Sequence, residues 1–211
     1  WSKGVRLVPN QNSFGHLEKW FRHPEYLPLA EAPNGYRIKS PRVSGAPHAL
    51  AASAPESLAF LGGLYDELLP NFRHAKTLNV GCDEVWDVFD ANCRSAARGR
   101  AVGPANVYMD HVLDVHRLVS ARGWKTAFWG DMVLRHPELL ARVPQDAEVL
   151  LWGYSSEMKC KGYSREFFGR AQALQRRHLA FTTCPAAATC GRPRPYDYRE
   201  WAANIALADE A

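Results

Sequence analysis

The sequence predicts an α/β fold, present as a fragment of a (β/α)8 barrel. Three observations predict it. Short apolar, β-rich runs alternate with longer helical patterns, as in a parallel sheet with crossover helices. The runs are nearly continuous in apolar residues, as expected of strands covered on both faces. Most of them end in polar or aromatic clusters, and a barrel gathers its functional residues at the C-terminal ends of its strands. An open doubly wound sheet is the competing architecture. No Gly-rich phosphate loop of the G-x-G-x-x-G or Walker type follows any run, which weakens it. A complete barrel takes eight strands and about 250 residues. Five runs in 211 residues, in a chain that opens at Trp1 without Met and stops inside a helical pattern, predict part of one.

The elements follow in order. The first strand is predicted at Val5-Arg6-Leu7-Val8, stopped by Pro9. Residues 24–54 are rich in Pro, Gly, Ser and Ala and read as a long loop insertion, a type that is often functional in a compact domain. Pro55 opens a helix with Leu58, Leu61, Tyr65 and Leu68 along one face. Thr77-Leu78-Asn79-Val80 is the second strand, stopped by Gly81. Pro104 opens a second helix, carrying Val107, His111, Val112, Val115, Leu118 and Val119 and closed by Gly123. Thr126-Ala127-Phe128-Trp129 and Val149-Leu150-Leu151-Trp152 are the next strands, stopped by Gly130 and Gly153. Ser164 reads as the N-cap of a helix with Phe167, Ala171 and Leu174. A fifth strand is predicted at residues 179–183 and a last helix from about Tyr198. The whole of 1–211 reads as one partial domain.

Composition is that of a globular domain, 46% hydrophobic and 23% charged. A net charge of +4, with basic residues scattered, does not point to nucleic acid. No apolar run approaches the ~20 residues that span a membrane, and no signal peptide is present, although the missing Met makes that absence uninformative about export. Five cysteines at irregular spacings, with no C-x-x-C, argue against a zinc ribbon. Free thiols are the expected state, which leans toward a reducing compartment without fixing it.

The chemistry-bearing residues cluster at the strand ends. Gly81-Cys82-Asp83-Glu84 puts an acidic pair at the mouth of a buried strand. A carboxylate held away from water needs a partner or a shifted pKa. The pair reads either as catalytic acids or as acids capping the next helix, where the dipole favours negative charge. Asn10-Gln11-Asn12 with His16, then Trp129-Gly130-Asp131 and Trp152-Gly153-Tyr154, stand at other strand ends. Both tryptophans can also be read as core residues. His111 and His116 are five apart, not the i, i+4 metal pair, and read as packing or surface residues. Cys82 lacks a Cys-His signature and is discounted as a nucleophile.

These motifs resemble glycoside hydrolase family 20, the β-N-acetylhexosaminidases. Leu7-Val8-Pro9-Asn10-Gln11-Asn12-Ser13-Phe14-Gly15-His16 resembles the third barrel strand of that family, where a Pro-rich strand end precedes a Gly-His pair. Asn79-Val80-Gly81-Cys82-Asp83-Glu84-Val85 resembles its fourth strand, which ends in Gly-Asp-Glu or a close variant. Phe128-Trp129-Gly130-Asp131 and Leu151-Trp152-Gly153-Tyr154 are similar to its later aromatic-bearing strands. The resemblance runs from residue 1 to about 190 and implies strands 3 to 7 of the barrel.

The resemblance also implies a reaction. In family 20 the acetamido oxygen of the substrate attacks the anomeric carbon, so one enzyme carboxyl serves as acid and then base. It casts Glu84 as that group and Asp83 as the acceptor for the acetamido N–H. Adjacent strand residues face opposite ways, so both reach one site only because the strand breaks at Gly81. His16 is expected to bond Glu84 or its neighbours and tune its acidity. Trp129 and Trp152 are expected to wall the pocket, Tyr154 to donate to the acetamido oxygen, and Asp131, Asn10 and Asn12 to bind sugar hydroxyls. An N-acetylhexosamine-containing glycan is the implied partner, with no metal or organic cofactor, no nucleic acid and no membrane. The oligomeric state stays open.

Some family features are not met. Its first two strands, with a sugar-binding Arg and an Asp, would precede Trp1, and its eighth would follow Ala211. The Tyr-x-Asp after its seventh strand is absent near Thr182-Thr183-Cys184-Pro185, and Cys82 stands where Gly is commoner. Three rivals therefore stand beside the hydrolase reading: a non-catalytic carbohydrate-binding barrel, a glycosidase using Asp83 and Glu84 as a conventional pair, and a purely structural α/β domain. An open barrel would expose strand edges, so the isolated fragment is expected to associate.

Overall fold

The computed structural model describes residues 7–39 and 42–150. The chain enters along residues 7–13 and turns into a short helix, α1 (Glu18–Phe21). A 3-10 turn at Leu27–Leu29 leads to an antiparallel hairpin, β1 (Tyr36–Lys39) and β2 (Arg42–Gly45), registered Tyr36 on Gly45 and Lys39 on Arg42. Helix α2 (Pro55–Leu68) follows, then strand β3 (Thr77–Asn79). After a 3-10 turn at Asp87–Phe89 come α3 (Ala96–Val102) and α4 (Pro104–Ser120). Strand β4 (Lys125–Trp129), α5 (Asp131–Arg135), a 3-10 segment at Pro137–Arg142 and β5 (Glu148–Leu150) complete the described part.

The sheet is parallel and sequential, in the order β3-β4-β5. Asn79 pairs with Ala127, and Trp129 with Leu150. The entering segment extends the order at the β3 edge. Asn10 bridges Asn79 in parallel, Asn79 N–H donates to the Pro9 carbonyl at 2.9 Å, and Ser13 N–H donates to the Val80 carbonyl at 2.9 Å. A sequential parallel order without reversal is what a barrel wall requires, whereas a doubly wound sheet reverses at a switch point.

Local chemistry explains the two long helices. Proline opens both, where its missing N–H removes nothing the helix would use. In α2 the buried face is Ser57, Leu61 and Tyr65, spaced four apart. In α4 it is Val107, His111, Val112, Val115 and Val119, and Gly123 at φ 72° ends the run in a left-handed turn. These faces meet the sheet residues Leu78, Val80 and Phe128 and the entering Phe14, all fully buried. Each large side chain removed from water contributes about 1.5–3 kcal/mol.

Two expectations are corrected. The first strand, expected at residues 5–8, does not include Leu7 and Val8, which are unpaired among the described residues and exposed; the pairing with β3 falls on residues 9–13, and residues 5 and 6 lie outside the described part. The segment 24–54 is not a bare loop, because it carries the β1–β2 hairpin. The predicted elements beyond residue 150 lie outside the described residues. Among the described residues no helix is long and apolar enough to cross a membrane.

Candidate active site

Strand β3 ends at Asn79, and the next residues leave the extended conformation abruptly. Gly81, Cys82 and Glu84 have φ of 69°, 66° and 50°, all left-handed. Only glycine adopts that region freely, so a loop holding two other residues there is held by its surroundings. The holding contacts are on every side. Gly81 N–H donates to Asn79 Oδ1 at 2.9 Å, and the Gly81 carbonyl accepts from Trp129 N–H at 2.9 Å. The Cys82 carbonyl accepts from the buried Tyr108 hydroxyl at 3.0 Å. Glu84 N–H donates to Asp131 Oδ2 at 3.1 Å. Gly81 has to be glycine twice over, since a Cβ there would sit 2.6 Å from Asn12 Oδ1.

This turn solves the alternation problem, because Asp83 and Glu84 both face His16. The His16 Nε2 atom lies 3.1 Å from Asp83 Oδ2 and 3.6 Å from Glu84 Oε2. The His16 backbone is itself left-handed, at φ 62°. Gly15 permits the approach: a Cβ there would meet the Asp83 carbonyl at 2.5 Å and His48 Cε1 at 2.8 Å. The hydrogen bond to Asp83 raises the His16 pKa above its ordinary value against the opposing effect of burial. Glu84 is the more open acid, with 43% of its side chain exposed against 19% for Asp83.

Capping is not the role of this pair. The next helical turn begins at Asp87, and no side chain caps it. Cys82 is fully buried, its thiol pushed well up by burial, which agrees with discounting it as a nucleophile.

Asp131 belongs to the same constellation, but as a support. It is 2% exposed, one oxygen holds the Glu84 N–H, and burial pushes its pKa up to about 7. Its other oxygen, Oδ1, has no hydrogen-bond partner among the described residues. Its contact with the Glu84 backbone ties the position of that residue to the end of β4. Trp129 is the last residue of β4 and is partly buried. Asn10 is exposed beside Asn79, and Asn12 packs over Gly81. Trp152 and Tyr154 lie outside the described residues.

Sequence reasoning did not single out Glu18, His48 and Asp87. The His48 Nε2 atom is 3.4 Å from His16 Nδ1 and 3.6 Å from Glu18 Oε1. Behind it the fully buried Asp87 accepts from the N–H groups of His48 and Ala49, both at 3.1 Å. No spacing rule links residues 18, 48 and 87. Only the fold of the 24–54 segment brings them together.

Comparison with known proteins decides the family. The model of the glycosyl hydrolase family 20 catalytic domain matches residues 1–166. The chain belongs to that family. Human Hexosaminidase D is 27% identical over 164 residues, covering 75% of this chain and 32% of its own length. Among solved structures, the family 20 β-N-acetylhexosaminidase of Streptomyces coelicolor A3(2) superposes with a TM-score of 0.54 at 17% identity, over 89% of this chain and 32% of that one. Dispersin B superposes at 0.58 and 16% identity, over 99% of this chain and 56% of that one. The chain therefore has the α/β fold of these domains and spans about a third of the length of the human relative.

Proposed function

We propose that this chain is part of the catalytic domain of a retaining, exo-acting β-N-acetylhexosaminidase that removes terminal GlcNAc or GalNAc with help from the substrate's own acetamido group. Family membership gives the class of reaction. The observation that carries the assignment of residues is the left-handed turn that puts Asp83 and Glu84, neighbours in sequence, on the same His16 nitrogen.

Glu84 gives its proton to the glycosidic oxygen, and the aglycone leaves as an alcohol. The acetamido carbonyl oxygen bonds to the anomeric carbon from the opposite face, and Asp83 accepts the acetamido N–H as that nitrogen gains positive character. Water then loses a proton to Glu84 and attacks the anomeric carbon. The bond between the anomeric carbon and the acetamido oxygen breaks, the acetamido group is restored, and configuration is retained after two inversions. Asp131 holds the Glu84 backbone through its N–H, and His16 holds the Asp83 carboxylate in place. Trp129 from the described part, and Trp152 and Tyr154 beyond it, line the sugar pocket in this reading. The sequential parallel strand order supports strands 3 to 6 of a (β/α)8 barrel within the described part.

The test uses the full-length gene product. Release of nitrophenol from its β-GlcNAc and β-GalNAc glycosides is measured for the wild type, Glu84→Gln and Asp83→Asn. The expected result is turnover that both substitutions lower by about 10²-fold or more. A thiazoline mimic of the cyclised intermediate is expected to bind tightly, which a conventional carboxylate pair does not predict. Absence of turnover, with GlcNAc still raising the Tm, would move the reading to a sugar-binding module.

A further inference from the structure

We propose that His16, Glu18 and His48 form a binding site for one divalent transition-metal ion of the zinc class. The donor atoms converge. His16 Nδ1 and Glu18 Oε1 lie 3.4 and 3.6 Å from His48 Nε2, and one donor atom from each residue falls within 4.8 Å of the other two. Zinc bonds of about 2.0–2.1 Å in tetrahedral geometry set donors about 3.3–3.4 Å apart. The two measured separations are therefore already close to those of a bound ion. Two imidazoles and one carboxylate, with a fourth position left to water, is a zinc donor set. It favours zinc, cobalt, nickel or copper over magnesium or calcium, which prefer oxygen donors only.

A second observation is independent of the convergence. Each imidazole turns its other nitrogen to a carboxylate. His16 Nε2 bonds Asp83 Oδ2 at 3.1 Å, and His48 Nδ1 lies 3.5 Å from Asp87 Oδ1. Metal-bound histidines are oriented by such outer carboxylates, which fix the tautomer and make the imidazole a better donor. His48 Nδ1 and Asp87 Oδ1 are buried and have no hydrogen bond among the described residues, at a separation a little too long for one. A cation on Nε2 acidifies the Nδ1 proton and strengthens that contact.

The backbone sets up the donors. His16 and Glu18 flank the start of α1, and His48 is fixed there by Leu17 N–H donating to its carbonyl at 3.0 Å. The His16 N–H donates to His48 Nε2 at 3.1 Å, which marks that nitrogen as an unprotonated acceptor. Ligation exchanges this hydrogen bond for a metal bond. Glu18, 42% exposed, leaves the entry path open.

The test is a titration of the full-length protein, pretreated with chelator, with Co²⁺ and then Zn²⁺, followed by visible absorption and calorimetry. One equivalent of Co²⁺ is expected to give the intense absorption of a tetrahedral site, and Zn²⁺ to displace it. Glu18→Gln is expected to weaken binding by tenfold or more while leaving the metal-free Tm unchanged, and His48→Gln to weaken it as well. No stoichiometric binding to the wild type, or equal affinity in Glu18→Gln, would overturn the proposal. Because the readout is binding and not turnover, its failure is distinct from failure of the glycosidase reading.

Discussion

His111 offers the sharpest test of how the fold holds its candidate site. Its ring is fully buried on α4 and ties two distant backbone groups. Nδ1 accepts from Ser53 N–H at 2.9 Å, so Nε2 carries the proton and donates to the Ser13 carbonyl at 2.9 Å. The ring also lies 4.0 Å from that of Phe14, two residues before His16. His111→Leu keeps the apolar volume and strands both backbone groups. Each buried group left unpaired costs about 1–3 kcal/mol, and the lost ring contact adds about 0.5–1.5 kcal/mol. The expected destabilisation at pH 7 is about 2.5–7.5 kcal/mol on that basis, toward the lower end because the Ser53 N–H is only partly buried.

The same ring supplies a pH signature. Burial pushes the His111 pKa down to about 4 from its ordinary 6.5. Between those values the unfolded chain binds the proton and the folded one does not, so the His111 contribution is complete above pH 6.5 and falls away as the pH drops toward 4. A shift of this size corresponds to about 3 kcal/mol. The leucine variant has no such group. Its deficit against the wild type is therefore expected to shrink by about 3 kcal/mol between pH 7 and pH 4. Urea unfolding followed by tryptophan fluorescence at a series of pH values measures this. A deficit under 1 kcal/mol at pH 7, or one that stays constant down to pH 4, would refute the reasoning.

Asp131→Asn should behave in the opposite sense. Its raised pKa means that wild-type stability is lost as the pH climbs from about 4 to 7, so the variant should gain about 2–4 kcal/mol on the wild type between pH 4.5 and pH 8 in the same unfolding series. Gly15→Ala puts a methyl group 2.5 Å from the Asp83 carbonyl, and kcat/KM on the nitrophenyl substrates should fall at least tenfold, since displacements of about 1 Å at a reacting group are that costly. Tyr108→Phe removes the donor to the Cys82 carbonyl, and a loss of about 1–2 kcal/mol in unfolding free energy is expected, with a fall in kcat and little change in KM.

Much of the architecture was legible in the sequence because its punctuation is chemical. Pro55 and Pro104 open their helices where expected, and Gly81, Gly123 and Gly130 close their elements. The acidic pair and His16 were legible too, through their position at strand ends. Leu7 and Val8 were assigned to the first strand because apolar content was read as pairing. Backbone hydrogen bonds define a strand, and here they fall on the polar stretch Asn10 to Ser13. The β1–β2 hairpin was hidden by turn-rich composition and by strands with little buried surface, as the alternating half-exposed Tyr36–Lys39 illustrates. His48 and Asp87 were not legible at all. Their partners lie about 30 to 40 positions away, and only tertiary packing reveals the pairing. His111 was read as packing, which is true of its burial and misses the two backbone bonds it makes.

Cys82 sits at a balance point. At φ 66° a side chain costs about 1–2 kcal/mol that glycine would not, while burying its fully enclosed thiol returns about 1 kcal/mol. The two nearly cancel, so exchange between cysteine and glycine at this position is close to neutral for folding. Sequence drift between the two is therefore expected among relatives, and a cysteine next to the acidic pair is no sign of thiol chemistry. Glu84, equally left-handed at φ 50°, enjoys no such freedom: the glycine that would relax its backbone would also delete the proposed acid.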